Sequence, residues 1–153
     1  MALMDLILWR HAEAEEGSPD IQRALTEKGH KQAKKMAQWL KARLPEDARI
    51  LVSPAVRAQQ TASALMQDFI TVDEIAPEAT PQAVLKAAGW PRAGGTVLIV
   101  GHQPTLGRVI GQLLTQENES WSVKKGAVWW LCNRKRGNTS ETILRASIAP
   151  DLL

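Results

Sequence analysis

The sequence predicts an α/β fold: a three-layer αβα sandwich with a mainly parallel central sheet, helices on both faces and an antiparallel edge strand. Three observations carry this expectation. Short apolar runs alternate along the chain with longer segments of helical periodicity, the order of a parallel sheet with helical crossovers. Val97-Leu98-Ile99-Val100 is apolar at every position, as for a strand covered on both faces. The last two strand-like segments follow one another across a short polar stretch, so they pair antiparallel. With 153 residues, 44% hydrophobic and 23% charged, the chain is expected to fold as one domain over residues 1–153 with a substantial core.

Leu6-Ile7-Leu8-Trp9 is too short for a helix and reads as a buried strand ending at Arg10-His11. Residues 12–20 contain Gly17, Ser18 and Pro19 and read as a loop. Thr26 is an N-cap for a helix running to about Leu44, before Pro45. Ala33, Met36, Ala37, Leu40 and Leu44 follow i, i+3, i+4 spacing and form its core-facing stripe. Gly29 weakens this helix, so close packing or an irregular first turn is expected there. Ile50-Leu51-Val52 is the second strand, followed by a helix over about 56–69 with Ala58, Ala62, Leu65, Met66 and Phe69 inward. A short strand over 72–75 and a helix over about 82–88 precede the strand at 96–100. A helix over about 105–114 follows, then strands over about 127–132 and 142–148 joined by a turn from Asn133 to Ser140.

Nineteen basic against sixteen acidic residues give a net charge of +3, too small an excess to establish a nucleic-acid partner. The single cysteine, Cys132, excludes an internal disulfide and a cysteine-cluster metal site, and is expected to be a small buried hydrophobe. Asp5 interrupts the first apolar stretch and no basic region precedes it, so no secretory signal is expected. No apolar run approaches the roughly 20 residues of a membrane span. A cytoplasmic protein without membrane or nucleic-acid partners is the expectation.

Ligands of open α/β sheets bind beyond the carboxyl ends of the strands. Here three strands end in Arg10-His11, in Ser53-Pro54 with Arg57 one turn later, and in Gly101-His102. On one rim, two arginines and two histidines would converge. Guanidinium forks match phosphate oxygens, and an imidazole can act as a nucleophile. Taken singly, each residue has an ordinary structural explanation; their recurrence at successive strand ends does not. The residues alone lead as far as a phosphate pocket with a histidine able to attack phosphorus. His30, among lysines, reads as surface.

Arg10-His11-Ala12-Glu13-Ala14 after a strand resembles the RHG/RHA signature of the histidine phosphatase superfamily. Three further motifs keep that family's order: Ala24-Leu25-Thr26-Glu27-Lys28-Gly29, Val52-Ser53-Pro54-Ala55-Val56-Arg57-Ala58-Gln59-Gln60-Thr61-Ala62, and Val100-Gly101-His102-Gln103-Pro104. The similarity spans nearly the whole chain. The short length, the RHA variant and the Pro150-Asp151-Leu152-Leu153 ending look most like the SixA group of phosphohistidine phosphatases. Ala12 departs from the broader family's glycine.

The resemblance implies a phosphoglycerate mutase-like fold, with His11 as nucleophile and Arg10, Arg57 and His102 binding the phosphoryl oxygens. It implies no metal and no cofactor, a phosphorylated histidine-containing protein as substrate, and action as a monomer. The chain resembles a minimal version with little room for a lid over the pocket. Relatives acting on phosphate esters use an acid to protonate the leaving group. Glu78, in Pro77-Glu78-Ala79-Thr80-Pro81, is the first candidate here, with Glu13 and Glu15 behind it. A leaving imidazole, with an unperturbed pKa of about 6.5, does not need a strong acid.

The alternatives are a metal-independent phosphomonoesterase using the same pocket, and a non-catalytic phosphate- or nucleic-acid-binding module. The latter would rest on Lys34-Lys35, Lys124-Lys125 and Arg134-Lys135-Arg136, which lack interleaved aromatics; the last triplet reads as a solvated turn. Ser18, Arg23 and Gln103 flank the motifs and are expected to order the site. Trp9, Trp129 and Trp130 are expected in the core, and Trp90 and Trp121 in loops that could take part in docking.

Overall fold

A computed structural model describes residues 3–153. The strands are β1 (Met4–Arg10), β2 (Arg49–Val52), β3 (Ile70–Thr71), β4 (Gly95–Gly101), β5 (Val128–Arg136) and β6 (Thr139–Ile148). The helices are α1 (Glu27–Lys41), α2 (Val56–Ser63), α3 (Pro81–Ala88) and α4 (Thr105–Thr115). All six strands form one sheet in the order β3-β2-β4-β1-β5-β6. The first four pair in parallel, and β5 is antiparallel to both β1 and β6. The antiparallel edge expected from the sequence is therefore β6, joined to the parallel part through β5.

Side chains alternate across a strand with a period of two, and this partitions the core. Leu6 and Leu8 of β1, with Val97 and Ile99 of β4, pack against Val84 and Ala88 of α3 and Leu106, Val109 and Ile110 of α4. Ile7 and Trp9, with Leu98 and Val100, pack on the opposite face against Met36, Ala37 and Leu40 of α1 and Ala58 and Ala62 of α2. The sandwich thus has two cores, and the continuous apolar run of β4 serves both. None of the described helices is long and apolar enough to cross a membrane.

Thr26 caps α1, its hydroxyl accepting from the Gly29 amide at 2.9 Å, a contact worth about 1 kcal/mol. Gly29 is buried, and a Cβ there would overlap the Glu13 carbonyl oxygen. The roughly 1 kcal/mol that glycine costs a helix relative to alanine is therefore the consequence of seating α1 directly on the segment that follows His11. Close packing, rather than an irregular turn, explains the residue.

Several boundaries differ from the sequence expectation, among them the end of α1, at Lys41 and not Leu44. Helix α2 stops at Ser63, and Ala64 and Leu65 close it with i→i+3 bonds to Thr61 and Ala62. The chain must turn back there to lay Ile70–Thr71 beside β2, which leaves Met66 exposed and Phe69 only partly buried. No strand forms over 72–75; Asp73–Ile75 is a 3₁₀ turn that carries Ile75 into the core. The β5–β6 turn is only Gly137-Asn138, with Gly137 at φ +62°, so Arg134-Lys135-Arg136 lies in an exposed hairpin strand instead of a turn. Cross-strand charge supports that extension: Arg134 and Arg136 both pair with Glu141.

Trp9 is fully buried and Trp130 nearly so. Trp90 packs partly buried against the α3–α4 core, whereas Trp121 is exposed and meets Trp129 edge-on at 5.5 Å. Cys132 is half-buried, not enclosed as expected; strand alternation turns it away from the core that takes its neighbour Leu131.

Candidate active site

The carboxyl ends of β1, β4 and β2 lie side by side, since β4 pairs with both of the others. Beyond the last paired residues the ladder continues: the His11 amide donates to Gly101 O at 3.0 Å and the Ser53 amide to Val100 O at 3.1 Å. Backbone pairing therefore brings Arg10-His11, Ser53 and His102 onto one rim. Arg57 reaches it from the first turn of α2. A pocket of about 370 Å³ opens there, lined by Arg10, His11, Arg57 and His102 and, among others, Glu78. All four residues expected from the strand ends share this pocket.

The proton on His11 can be placed from its partners. Nδ1 lies 2.8 Å from the Ala12 carbonyl oxygen, which can only accept, so Nδ1 carries the hydrogen. Arg57 Nε–H donates toward His11 Nε2 at 3.4 Å, consistent with a lone pair on Nε2. The ring is buried, and burial, reinforced by Arg57, Arg10 and Arg23 against the opposing pull of the Ala12 carbonyl, lowers its pKa to about 4. At neutral pH it is an uncharged imidazole with Nε2 available as a nucleophile.

His102 stands beside it, ring centroids 5.0 Å apart. Its Nε2 lies 2.7 Å from Ser53 Oγ, an oxygen that already accepts from the Ala55 amide. His102 Nδ1 is buried without a hydrogen-bond partner, as is Arg10 Nε. Both residues line the pocket. Burial, then the neighbouring His11 and Arg57, lowers the His102 pKa to about 3. Burial also lowers that of Arg10, whose Nη1 is anchored on Val123 O at 2.7 Å.

These shifts have a stability consequence. Both histidines have folded-state pKa values below the unfolded value near 6.5, so between about pH 6.5 and 4 the unfolded chain binds more protons. The stability they support is complete above that window and is lost as pH falls through it. Thermal unfolding is expected to show Tm falling by several degrees between pH 7 and 5, before most carboxylates titrate. A flat Tm over that interval would contradict the buried neutral histidines.

Ala12 is fully buried, and its amide donates to Thr61 Oγ1 at 3.0 Å. The alanine in place of glycine is accommodated with no left-handed φ. Among the carboxylates considered from sequence, only Glu78 lines the pocket, exposed and at φ +71°. Glu13 instead accepts from the Thr26 hydroxyl at 2.9 Å and faces Lys125, and Glu15 contributes its backbone oxygen to Arg23. Gln103 lines the pocket, its side chain receiving the Gly107 amide and donating to Trp121 O. Ser18 lies outside the pocket.

The sequence reading missed Asp20, Glu16 and Lys125, all on the pocket wall. Asp20 accepts from Arg57 Nη2 at 3.0 Å and from Arg23 Nη1 at 2.9 Å. Its i, i+3 relation to Arg23 is legible in the sequence; its contact with Arg57 is not. Among the described residues, no group of three or more His, Cys, Asp or Glu side chains could hold a metal ion.

The chain is similar to known proteins in sequence and in fold. A family model for the histidine phosphatase superfamily (branch 1) matches residues 6–77. Phosphohistidine phosphatase SixA of Escherichia coli (strain K12) is 32% identical over 124 residues, 74% of this chain and 76% of the relative. The SixA homolog of Haemophilus influenzae is 35% identical over 131 residues, 75% of this chain and 80% of the relative. A solved structure of the protein histidine phosphatase SixA complexed with tungstate superposes with a TM-score of 0.80 at 23% identity, covering 97% of this chain and 99% of that one.

Proposed function

The chain belongs to the histidine phosphatase superfamily, and from that premise we propose that it hydrolyses phosphohistidine on a protein through a covalent intermediate on His11. The observation that carries the proposal is the His11 imidazole held neutral, with its proton on Nδ1 against Ala12 O and Nε2 turned to Arg57. Both relatives described above are named phosphohistidine phosphatases.

In the proposed reaction the Nε2 lone pair attacks phosphorus in line as the substrate's P–N bond breaks. The departing imidazole takes a proton from solvent or already carries one. The phosphoryl group on Nε2 leaves His11 as a cationic ring whose Nδ1–H stays on the Ala12 carbonyl. Arg10, Arg57 and His102 bind the phosphoryl oxygens, in a buried setting where each contact counts for more than in water. Water then attacks phosphorus, the P–Nε2 bond breaks, and phosphate leaves with the neutral imidazole restored. With this reading go a cytoplasmic location, a place in signalling by phosphotransfer, and action as a monomeric single domain.

Incubation with ³²P-phosphorylated histidine-containing domains, in EDTA, tests it directly. Label is expected to appear transiently on His11 and then as free phosphate. Absence of both label and turnover on such donors would overturn the proposal.

One observation favours a second reading, a phosphomonoesterase: Glu78 lines the pocket, where a carboxyl group could protonate a leaving alkoxide. Glu78→Gln separates the two. A proton donor to an ester contributes on the order of 10²–10⁴-fold, whereas a leaving imidazole hardly needs one. The expected result is a fall of less than about threefold in kcat on phosphohistidine protein. A hundredfold loss on esters, together with preference for esters in kcat/KM, would instead establish the second reading.

A further inference from the structure

Arg57 is fixed at both ends. Its Nε–H faces His11 Nε2, while the far end of the guanidinium is held by one residue: Nη1 donates to the Asp20 carbonyl oxygen at 2.8 Å and Nη2 to Asp20 Oδ2 at 3.0 Å. The other carboxylate oxygen of Asp20 takes Arg23 Nη1, and Arg23 Nε is tied to Glu15 O at 2.7 Å. Asp20 sits at the start of a 3₁₀ turn, Asp20–Gln22, on the loop that leaves the His11 strand. We propose that Asp20 is a positioning residue, which clamps the distal end of Arg57 so that its Nε edge faces the phosphorus-bearing position at His11 Nε2. This rests on the reading of the pocket as a phosphoryl-transfer site.

The geometry distinguishes a clamp from a competitor. A carboxylate standing in for the phosphoryl group would take the Nε edge, next to the nucleophile. Asp20 takes the Nη hydrogens at the opposite end and leaves the Nε edge to His11. Without the carboxylate, Arg57 keeps only the Asp20 carbonyl oxygen at its far end and Arg23 loses its Oδ1 partner, so the long Arg57 side chain regains part of its rotamer freedom. The Asp20 side chain is itself 57% exposed, so its pair with Arg23 contributes little to folding, while its pair with Arg57, 6% exposed, is screened less. Its effect belongs to the site and can be read separately from stability.

The experiment compares wild type, Asp20→Ala and Asp20→Asn in three measurements: inorganic phosphate binding by calorimetry, kcat and KM on a phosphohistidine protein, and Tm. Misplacing a reacting or binding group by about 1 Å costs up to roughly a hundredfold. Asp20→Ala is expected to weaken phosphate binding and lower kcat/KM by about ten- to a hundredfold. Its Tm should fall by no more than about 4 °C, because the Asp20 carbonyl oxygen still holds Arg57 Nη1. Asp20→Asn keeps an acceptor oxygen and should recover part of the loss. Tighter phosphate binding in Asp20→Ala would identify a competitor instead, and unchanged binding and turnover would remove any role; either overturns the clamp. Should the wild type bind phosphate but leave phosphohistidine intact, the proposed function falls, while the binding comparison still decides the clamp.

Discussion

Replacing His11 by alanine is expected to abolish turnover, by on the order of 10⁴-fold or more, because no other group can carry the phosphoryl in its place. The only other histidine in the pocket, His102, has its Nε2 engaged with Ser53 Oγ. The same substitution removes the Nε2 partner of Arg57 and the ring beside His102, so phosphate binding should weaken as well. Two readouts separate these effects: the single-turnover rate of phosphohistidine cleavage, and ³²P incorporation into the protein. Both should vanish in His11→Ala. In His102→Ala, label should still be found on His11, formed more slowly. Retention of even a tenth of wild-type turnover by His11→Ala would exclude a covalent path through this residue.

Arg57→Ala is expected to cost about 10²–10³-fold in kcat/KM, the usual loss when one fixed donor to a developing charge is removed. Its side chain is 6% exposed, so the charge acts where water screens poorly. Arg57→Lys should not restore the rate. A lysine offers a point charge on a flexible stem; it cannot engage both oxygens of the Asp20 clamp and still present an N–H beside His11 Nε2. Measuring kcat/KM and the inhibition constant of phosphate on both variants checks this. A lysine variant within about threefold of wild type would mean that Arg57 supplies charge alone, without direction.

The places where sequence reasoning fell short at the site have a common cause. The pocket-facing arginines and histidines were legible because strand ends are written locally: an apolar run stops, and the next residues are the rim. Asp20 was not, since it lies between two motifs in a loop whose path is set by its ends, and its contact with Arg57 spans 37 residues. The same holds for Glu13 and Glu15. Each sits close to His11 in sequence, yet Glu13 turns to Thr26 and Lys125, while Glu15 offers Arg23 its backbone oxygen.

By itself the sequence determined the α/β alternation, the capped and glycine-marked start of α1, the buried β4 and the four residues of the cationic rim. These are properties of period, capping and strand ends, which neighbouring residues impose on one another. Only the tertiary structure decided the shortened α2, the two-residue hairpin and the fact that Gly29 must be bare where Glu13 crosses it. It also decided the tautomer of His11 and the clamp on Arg57. Those depend on which backbone oxygen, carboxylate or helix arrives from elsewhere in the chain, and such arrivals are set by packing.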